Sequence, residues 1–357
     1  MKKQRKQVFL IGLGILFVLL HVIFVADSLE TEFQLNAEWM VNIQNTASSS
    51  NPPPDMSRLL PFKLGQTVGY VTPEGALYNV TAVPYRAAIS PYFYAAFPQN
   101  AQNTPFFASD GRPRGVLPLA GFPHFDEDRI YVFYPGGNSF AVCDSTGAPL
   151  WSHEGYATIL TFASSRSGSA VGLVDGTILV HAPDGTRITT ITPGGSVYPV
   201  ILGADISGSG EYVASISGLQ HQRFVLTAIS GGTNTVVYHE YFEKDSNEPG
   251  LVQFSADDTM VYFAQQEKLT VLDRLTGIPT VMSVQGKILS IVESPATNLV
   301  FALSRLDSGY QVYLIENYNM LVGSFSFTAQ HACIRVFENA LYIGKDNSMS
   351  KLVISRK

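Results

Sequence analysis

The side chains that could carry chemistry are few and widely scattered. The seven histidines form no HExxH motif, no HxH pair and no pair at i, i+4, and none has a carboxylate at ligand spacing. They are His21, His124, His153, His181, His221, His239 and His331. This spacing is typical of histidines in turns and on surfaces. We therefore predict no catalytic residue, no bound metal and no cofactor.

Other chemical motifs are weak or missing. The sequence contains neither a GxSxG elbow nor a P-loop. The stretch Asp205–Ser209 is similar to the start of a calcium loop, but it lacks further acidic ligands and the distal glutamate, so we interpret it as a structural turn. Cys143 and Cys333 fall in repeat units that are not neighbours, which predicts two buried free thiols that act as small apolar residues.

Short strands must position all of these residues. In Leu251–Gly277 an apolar strand, the polar turn Ser255–Asp258 and two further strands follow each other with only turns between them. The same turn recurs at 164–168, 207–211 and 294–298, each time before an apolar strand. From Val171 to Val213, Val261 and Phe301 the steps are 42, 48 and 40 residues. Roughly 40–50 residues with about four strands per repeat is typical of propeller blades.

Two stretches carry a resemblance to known families. Phe254–Asp258 before a strand, and Val271–Gly277 after it, resemble repeats of the WD-repeat and YVTN-type β-propeller superfamily. Asp144–Trp151 resembles the D-x-x-G-x-x-x-W fragment of quinoprotein-type repeats, although Trp151 is the only tryptophan in the predicted propeller. The resemblance covers about residues 65–357. It implies an all-β propeller, a fold that serves enzymes, scaffolds and receptors alike.

The repeat divides the chain into seven predicted blades, with six or eight as alternatives. Six are continuous in sequence: Arg86–Gly121, Phe122–Gly155, Tyr156–Gly195, Ser196–Glu248, Leu251–Gly286 and Lys287–Phe327. The last piece, Ala332–Lys357, has only about three strands. We expect the hairpin of Thr67–Pro73 and Ala76–Val83 to complete it as a seventh blade, because ring closure removes open sheet edges.

The residues before the propeller predict a membrane anchor. A basic tail (1–7) precedes Val8–Ala26, which has no formal charge and as a helix is about 28 Å long, close to the thickness of a bilayer's hydrocarbon core. The basic flank predicts a cytoplasmic N-terminus, and cleavage as a signal peptide is the alternative. Asp27–Ala47 is predicted to contain a short helix with Trp39 at the membrane interface. A Ser/Pro-rich linker (48–54) follows, and 27–64 as a whole is interpreted as a juxtamembrane segment.

Charge and exposed loops indicate the kind of partner. Beyond the anchor, 19 basic residues face 29 acidic ones, which opposes binding to nucleic acid. Two features are candidate partner-binding surfaces. One is the long insertion 243–250, with Glu243, Lys244, Asp245, Asn247 and Glu248. The other is the aromatic run that contains Tyr92 and Phe106.

These observations predict a non-catalytic protein-interaction platform of the cell envelope. It would be a single-pass protein of the cytoplasmic membrane, with its propeller on the periplasmic or extracytoplasmic side and an envelope protein as partner. The alternative is an enzyme or small-ligand binder centred on the channel, such as a lactonase-like, metal-dependent hydrolase. Acidic, histidine or asparagine side chains at the channel mouth would favour the enzyme, and an apolar and hydroxyl lining would favour the platform.

Overall fold

The structure, a computed structural model, describes residues 33–46, 49, 55–99 and 101–356. All named elements except one 3₁₀ turn, Met56–Arg58, are strands, and they form eight separate antiparallel sheets. The all-β propeller is therefore confirmed. The number of blades differs from the prediction, because seven sheets have four strands and an eighth has three.

The blades are numbered here in their order around the ring. Blade 1 consists of β5 (Arg86–Ile89), β6 (Phe93–Phe97), β7 (Thr104–Ala108) and β8 (Pro113–Leu117). Blade 2 consists of β9 (Phe122–Asp126), β10 (Arg129–Phe133), β11 (Phe140–Cys143) and β12 (Pro149–His153). Blade 3 consists of β13 (Ile159–Ser165), β14 (Gly168–Leu173), β15 (Ile178–His181) and β16 (Arg187–Ile191). Blade 4 consists of β17 (Ile201–Ile206), β18 (Tyr212–Ser217), β19 (Arg223–Ser230) and β20 (Thr233–Tyr241).

The remaining blades include both ends of the described chain. Blade 5 consists of β21 (Leu251–Phe254), β22 (Met260–Gln265), β23 (Lys268–Asp273) and β24 (Ile278–Ser283). Blade 6 consists of β25 (Lys287–Ser294), β26 (Leu299–Leu306), β27 (Gly309–Glu316) and β28 (Met320–Phe327). Blade 7 consists of β29 (Ala332–Phe337), β30 (Ala340–Lys345), β31 (Ser348–Arg356) and β1 (Phe33–Asn42). Blade 8 has only β2 (Leu60–Leu64), β3 (Thr67–Val71) and β4 (Leu77–Ala82).

Strand β1 closes the ring, which corrects two predictions. It pairs antiparallel with β31, from Phe33 opposite Arg356 to Asn42 opposite Ser348, with a bulge between Ala37 and Trp39. The predicted helix between 27 and 47 is therefore wrong for Phe33–Asn42. Trp39 lies in this strand, where its ring packs 5.9 Å from that of Tyr342. The propeller thus begins well before residue 65, and part of the predicted juxtamembrane segment is its outermost strand.

The hairpin predicted to complete blade 7 belongs to blade 8 instead. Its two strands, β3 and β4, pair with each other and with β2, whereas the edge of β31 is already covered by β1. The predicted count of seven fails for this reason. The sequence pattern predicted neither β2, which precedes the hairpin, nor β1, which lies nearer the N-terminus.

Within the described residues, blade 8 lacks the innermost strand that the other blades have. Pro61 accepts a hydrogen bond from Arg335 of β29, and a Cβ on Gly65 would lie 2.9 Å from His331, just before β29. Pro61 thus lies near Arg335, and Gly65, later in the chain, lies near His331, which is earlier in the chain than Arg335. The two strands β2 and β29 therefore run in opposite directions. First strands of successive four-stranded blades run the same way, so β2 has the direction of a second strand. Pro61 suits such an edge because it has no N–H to leave unpaired.

Each junction between neighbouring blades contains a hydrophobic cluster of its own. The described residues form eight clusters, one for every junction of the ring. The cluster between blades 5 and 6 contains twelve buried residues, including Tyr262 and Ile315. The cluster between blades 8 and 1 contains only Val68, Val83 and Ala87. Stacking of blade faces therefore holds the ring together, with its weakest packing beside the incomplete blade.

Polar side chains also link every blade to the next. All of these bonds join a residue on or beside an inner strand to the neighbouring blade. The donor–acceptor pairs, from the junction of blades 8 and 1 onward, are Lys63–Ala87, Ser90–Glu127, Ser164–Asp126, Ser167–Gly208, Phe254–Asp205, Gln253–Ile291, Ser294–Glu338 and Arg335–Pro61. Asp205, interpreted from sequence as part of a turn, is thus a link between blades 4 and 5.

The predicted anchor, residues 8–26, lies outside the described residues, as does the linker at 48–54 apart from Ser49. Among the residues that the structure does describe, no helix has the length and apolar character needed to cross a bilayer.

Candidate functional site

One face of the ring carries the candidate site. It presents the connections from each outer strand to the next blade, together with the turns between second and third strands, and we call it the loop face. The opposite face presents the turns between first and second and between third and fourth strands. The insertion 243–250 joins β20 to β21 and therefore lies on the loop face, as the sequence predicted for a connection between blades.

The insertion is held in place by its own polar side chains. The Asp245 carboxylate accepts hydrogen bonds from the backbone N–H groups of Gln222, at 2.8 Å, and His221, at 3.3 Å. The buried Gln222 amide donates in turn to the carbonyl oxygen of Ser246, at 2.9 Å. Because these bonds tie the insertion to the turn after β18, it has a fixed shape rather than that of a free loop.

Two ion pairs fasten the insertion to the following blades. Glu243 lies 2.7 Å from the Lys268 ammonium and Glu248 lies 2.9 Å from that of Lys287. The hydrogen bond from each lysine lowers the pKa of its glutamate, so both carboxylates stay ionised at neutral pH. Both glutamates are exposed, and each pair adds little to stability. Each pair places a negative and a positive charge side by side on the loop face.

Clefts flank the insertion on two sides. One, of about 600 Å³, is lined by residues that include Glu240, Tyr241, Lys244, Gln266 and Lys268. The other, of about 280 Å³, is lined by residues that include Ser246, Pro249, Gln265, Glu267 and Lys287. The named residues supply amide, carboxylate and ammonium groups, and the smaller cleft also has apolar walls from Leu251, Ala264 and Ile288. Such clefts can exchange hydrogen bonds and charge pairs with the backbone and side chains of another protein.

The aromatic run of blade 1 divides between surface and core. Tyr92 lies in the turn between β5 and β6 and is half exposed, but this turn belongs to the opposite face. Phe106 is fully buried, with its ring 5.6 Å from that of Phe93 and 6.0 Å from that of Phe125. Its prediction as a partner-binding residue is therefore corrected, since alternation along β7 directs it into the core. The structure does not bring Tyr92 together with the insertion.

A cavity at the inner strands bears on the distinction between enzyme and platform. His124, exposed on the inner strand β9 of blade 2, lies beside this cavity, with its ring centroid 6.0 Å from that of the lining residue Phe162. A cavity of about 380 Å³ opens onto the inner strands of blades 3 to 6. Its walls are apolar apart from the backbone and the side chains of Thr161, Gln253 and Lys287. Among the described residues that line it there is no carboxylate and no histidine. In the described parts of the chain generally, no group of three or more His, Cys, Asp and Glu side chains is placed to hold a metal ion.

A buried histidine pair, which the sequence pattern did not predict, lies between blades 2 and 3. His153 and His181 are both more than nine-tenths buried, and their ring centroids are 5.3 Å apart. Burial lowers the pKa of His181 to about 4, with further effects of His153 and Arg187, and it also lowers the pKa of His153. The two residues lie on different sheets, so spacing along the chain carries no signal of their contact.

The two cysteines are unbonded as predicted; Cys143 is buried, whereas Cys333 is only partly buried. Cys143 in β11 and Cys333 in β29 are free thiols in blades that are not neighbours. Burial raises the pKa of Cys143 to about 11 and also raises that of Cys333, so both remain protonated at neutral pH.

Fold and loop face together define an eight-bladed β-propeller, closed by strand β1. The chain belongs to a family of beta-propeller proteins, whose family model matches residues 1–356. A protein of Treponema pallidum (strain Nichols), described as uncharacterized, is 26% identical over 362 residues, which cover 99% of this chain and 96% of that protein.

Solved structures show the same architecture at low sequence identity. The crystal structure of BamB from Moraxella catarrhalis is 11% identical, with a TM-score of 0.58, and the match covers 90% of this chain and all of that one. A chain in the crystal structure of the mitotic checkpoint complex is also 11% identical, with a TM-score of 0.51, and the match covers 92% of this chain and 94% of that one. At this identity the likeness concerns the fold alone.

Proposed function

We propose that this protein is a non-catalytic protein-interaction platform, anchored in the cytoplasmic membrane by residues 8–26, with its propeller on the extracytoplasmic side. The loop face binds another protein of the cell envelope. The main observation behind the proposal is that the insertion 243–250 is exposed but ordered. Asp245 accepts a hydrogen bond from a neighbouring turn, and Glu243 and Glu248 form ion pairs with the following blades. Fixed polar groups bind with less loss of conformational entropy than mobile ones.

Two further observations support a platform over a channel-centred enzyme. The lining of the channel cavity is mainly apolar, with one hydroxyl side chain, Thr161. Among the described residues that line it, no carboxylate or histidine is present to act as a general base or metal ligand. Propellers of this fold also occur in protein assemblies, among them the mitotic checkpoint complex.

Crosslinking in intact cells tests the platform. The full-length protein is crosslinked, purified through an affinity tag, and assayed for bound proteins and for metal content in the same sample. We expect a specific envelope protein and no stoichiometric metal. A stoichiometric divalent ion without any protein partner would overturn the proposal and favour a hydrolase.

A pair of charge reversals tests the face that binds. Glu248→Lys removes an exposed carboxylate 2.9 Å from Lys287 on the loop face. The matched control, Glu74→Lys, removes an exposed carboxylate 2.7 Å from Arg58 on the opposite face. We expect Glu248→Lys alone to reduce partner recovery at least fivefold. Equal recovery with both variants would contradict binding by the insertion.

Membrane topology has its own test. We expect the full chain to fractionate with the cytoplasmic membrane, and its propeller to be cleaved by protease added outside that membrane. Recovery of the uncleaved chain in the cytosol would contradict the anchored arrangement.

A further inference from the structure

A second surface on the loop face is unusually apolar. It consists of Tyr156, Val174, Val197, Tyr198 and Leu219, which we call the tyrosine patch. Tyr156 is fully exposed, Tyr198 is 62% exposed, and each of the three aliphatic residues keeps more than a third of its surface in contact with solvent. Tyrosine is enriched where proteins bind each other, because it offers a large apolar area together with a hydroxyl group.

Backbone contacts make the patch continuous across three blades. Val174 donates its N–H to the carbonyl oxygen of Thr158 at 2.9 Å, which joins the turn after β14 to the connection before β13. Leu219 donates to Tyr198 at 3.2 Å, which joins the turn after β18 to the connection before β17. A Cβ on Gly176 would lie 2.4 Å from that of Pro199, so these two pairs of segments are also in contact.

The loop that carries Tyr198 is held in an unfavourable conformation. Tyr198 has φ +55°, in the left-handed region that bulky residues seldom adopt. The buried Arg223 beneath the loop donates to the carbonyl oxygen of Pro193, and the Tyr241 hydroxyl donates to that of Gly195 at 3.2 Å. Such strain costs of order 1–3 kcal/mol and persists only where the surroundings enforce it, as at binding sites. The fold therefore presents this ring to solvent at a conformational cost.

The charged residues around the patch indicate which kind of protein segment it binds. The four segments that form it, 154–158, 174–177, 192–200 and 217–222, contain Glu154 and Asp175 but no lysine or arginine. In the neighbouring insertion, Glu243 and Glu248 are paired with Lys268 and Lys287, and Lys244 offsets Asp245. The net acidic charge beside the patch therefore comes from the exposed Glu154 and Asp175. A negative rim around an apolar centre attracts cationic side chains and repels anionic lipid headgroups.

We propose that the tyrosine patch docks a segment of a partner protein whose apolar side chains are flanked by lysine or arginine. This rests on the proposed platform function and names the chemistry of its partner. The apolar side chains cover Tyr156 and Tyr198, and the cationic ones lie against Glu154 and Asp175.

Binding of defined peptides to the full-length chain tests the chemistry. The probes are a twelve-residue peptide of leucine and phenylalanine flanked by lysines, and the same peptide with glutamate in place of lysine. We expect at least tenfold tighter binding of the lysine peptide by fluorescence anisotropy, weakening as salt is added. The double variant Tyr156→Ala/Tyr198→Asn should lose at least tenfold in affinity, since asparagine tolerates the left-handed backbone.

Tyr92→Ala is the matched control, because Tyr92 is a half-exposed tyrosine on the opposite face. Its peptide affinity should stay within twofold, and neither variant should melt below the parent protein. Equal binding of the two peptides, or equal losses in the two variants, would overturn the proposal. So would patch-dependent binding to anionic phosphatidylglycerol vesicles in place of the peptide.

Photo-crosslinking separates this proposal from the platform itself. A photoreactive residue is placed at Tyr156 or, as control, at Tyr92 in the full chain in cells. We expect crosslinks from position 156 to a peptide that is apolar and rich in lysine or arginine. Crosslinks from Tyr92 alone would overturn the patch and the loop face as the binding surface, but would leave a protein-interaction role standing. No protein partner from either position or by affinity purification would overturn both proposals.

Discussion

Trp39, on the strand that closes the ring, donates its indole N–H to the carbonyl oxygen of Pro73 in the neighbouring blade, at 3.0 Å. Trp151 repeats this contact with Pro183 at 2.8 Å, from the outer strand of blade 2 to blade 3. Both acceptors lie in turns of the pattern Pro-acid-Gly, and Gly75 and Gly185 share φ +89°. The two tryptophans of the chain thus join adjacent blades in the same way.

Loss of the Trp39 contact should loosen ring closure. We expect Trp39→Ala to lower the free energy of unfolding by about 2–4 kcal/mol, because it removes a packed ring and a hydrogen bond. Trp39→Phe retains packing against Tyr342 and should cost about 1 kcal/mol. Denaturant unfolding gives both values.

Hydrogen exchange distinguishes ring opening from general destabilisation. In Trp39→Ala we expect faster exchange of the β1 and β31 amides that pair with each other. Trp151→Ala serves as the control, because β12 is joined to β11 through a short turn and cannot separate from its blade as β1 can. Unchanged protection of β1 and β31 in Trp39→Ala would contradict the role of Trp39 in closure.

The glycines under the two indoles differ in their tolerance of a side chain. A Cβ on Gly185 would lie 2.7 Å from the Trp151 ring, whereas one on Gly75 would lie 3.2 Å from that of Trp39. Both glycines have the same φ, so an alanine would meet the same backbone strain at either position. We expect Gly185→Ala to destabilise the protein by about 1–3 kcal/mol more than Gly75→Ala, because the indole must shift. Thermal unfolding of the two variants would refute this if their losses were equal.

The histidine pair predicts a loss of stability in acid. The His181 pKa of about 4 in the folded state lies below the unperturbed value, so the unfolded chain binds more protons between these pH values. Stability is therefore retained above about pH 6.5 and falls as the pH drops toward 4, by about 3 kcal/mol for this residue.

His181→Gln isolates this effect, since glutamine does not titrate. Unfolding measured from pH 7 to pH 4 should show a shallower decline for the variant than for the parent protein. Parallel declines would show that His181 takes up no proton on unfolding. Arg187 and His153 lower the pKa of His181, so His153→Gln should weaken the pH dependence as well.

The repeat explains why blades 1 to 6 could be predicted from sequence. Ser207, Ser255 and Ser294 occupy the same turn, and each precedes an apolar second strand, so local signals locate the blades. Strand β1 has no such signal. Phe33, Met40 and Ile43 also fit a helical spacing, and the partner strand β31 lies about 300 residues away. Pairing at that distance along the chain decides the structure, and it leaves no local pattern.

Only the part of the candidate site that is formed by one continuous segment could be predicted from sequence. The insertion 243–250 could be found by its length, whereas its contacts with Gln222, Lys268 and Lys287 depend on the neighbouring turns. The tyrosine patch collects side chains from connections that are each unremarkable in sequence. Phe106 and Tyr92 belong to one aromatic run, and only the register of β7 separates the core residue from the surface one.

The junction between blades 8 and 1 should be the first part of the ring to open. Its apolar cluster has three buried residues, and hydrogen bonds supplement it: the fully buried Tyr70 donates its hydroxyl to the Ser90 carbonyl oxygen at 2.9 Å. Tyr70→Phe leaves that carbonyl without this donor, and we expect a loss of about 1–3 kcal/mol. Exchange of the β4 and β5 amides should accelerate before global unfolding, because little apolar packing resists separation there.

Tyr262→Phe is the matched control, since Tyr262 is also fully buried and donates to Glu293, but at the junction with twelve buried apolar residues. There we expect lower global stability without early local exchange. Early exchange in both variants would mean that the missing inner strand of blade 8 does not create a weak junction.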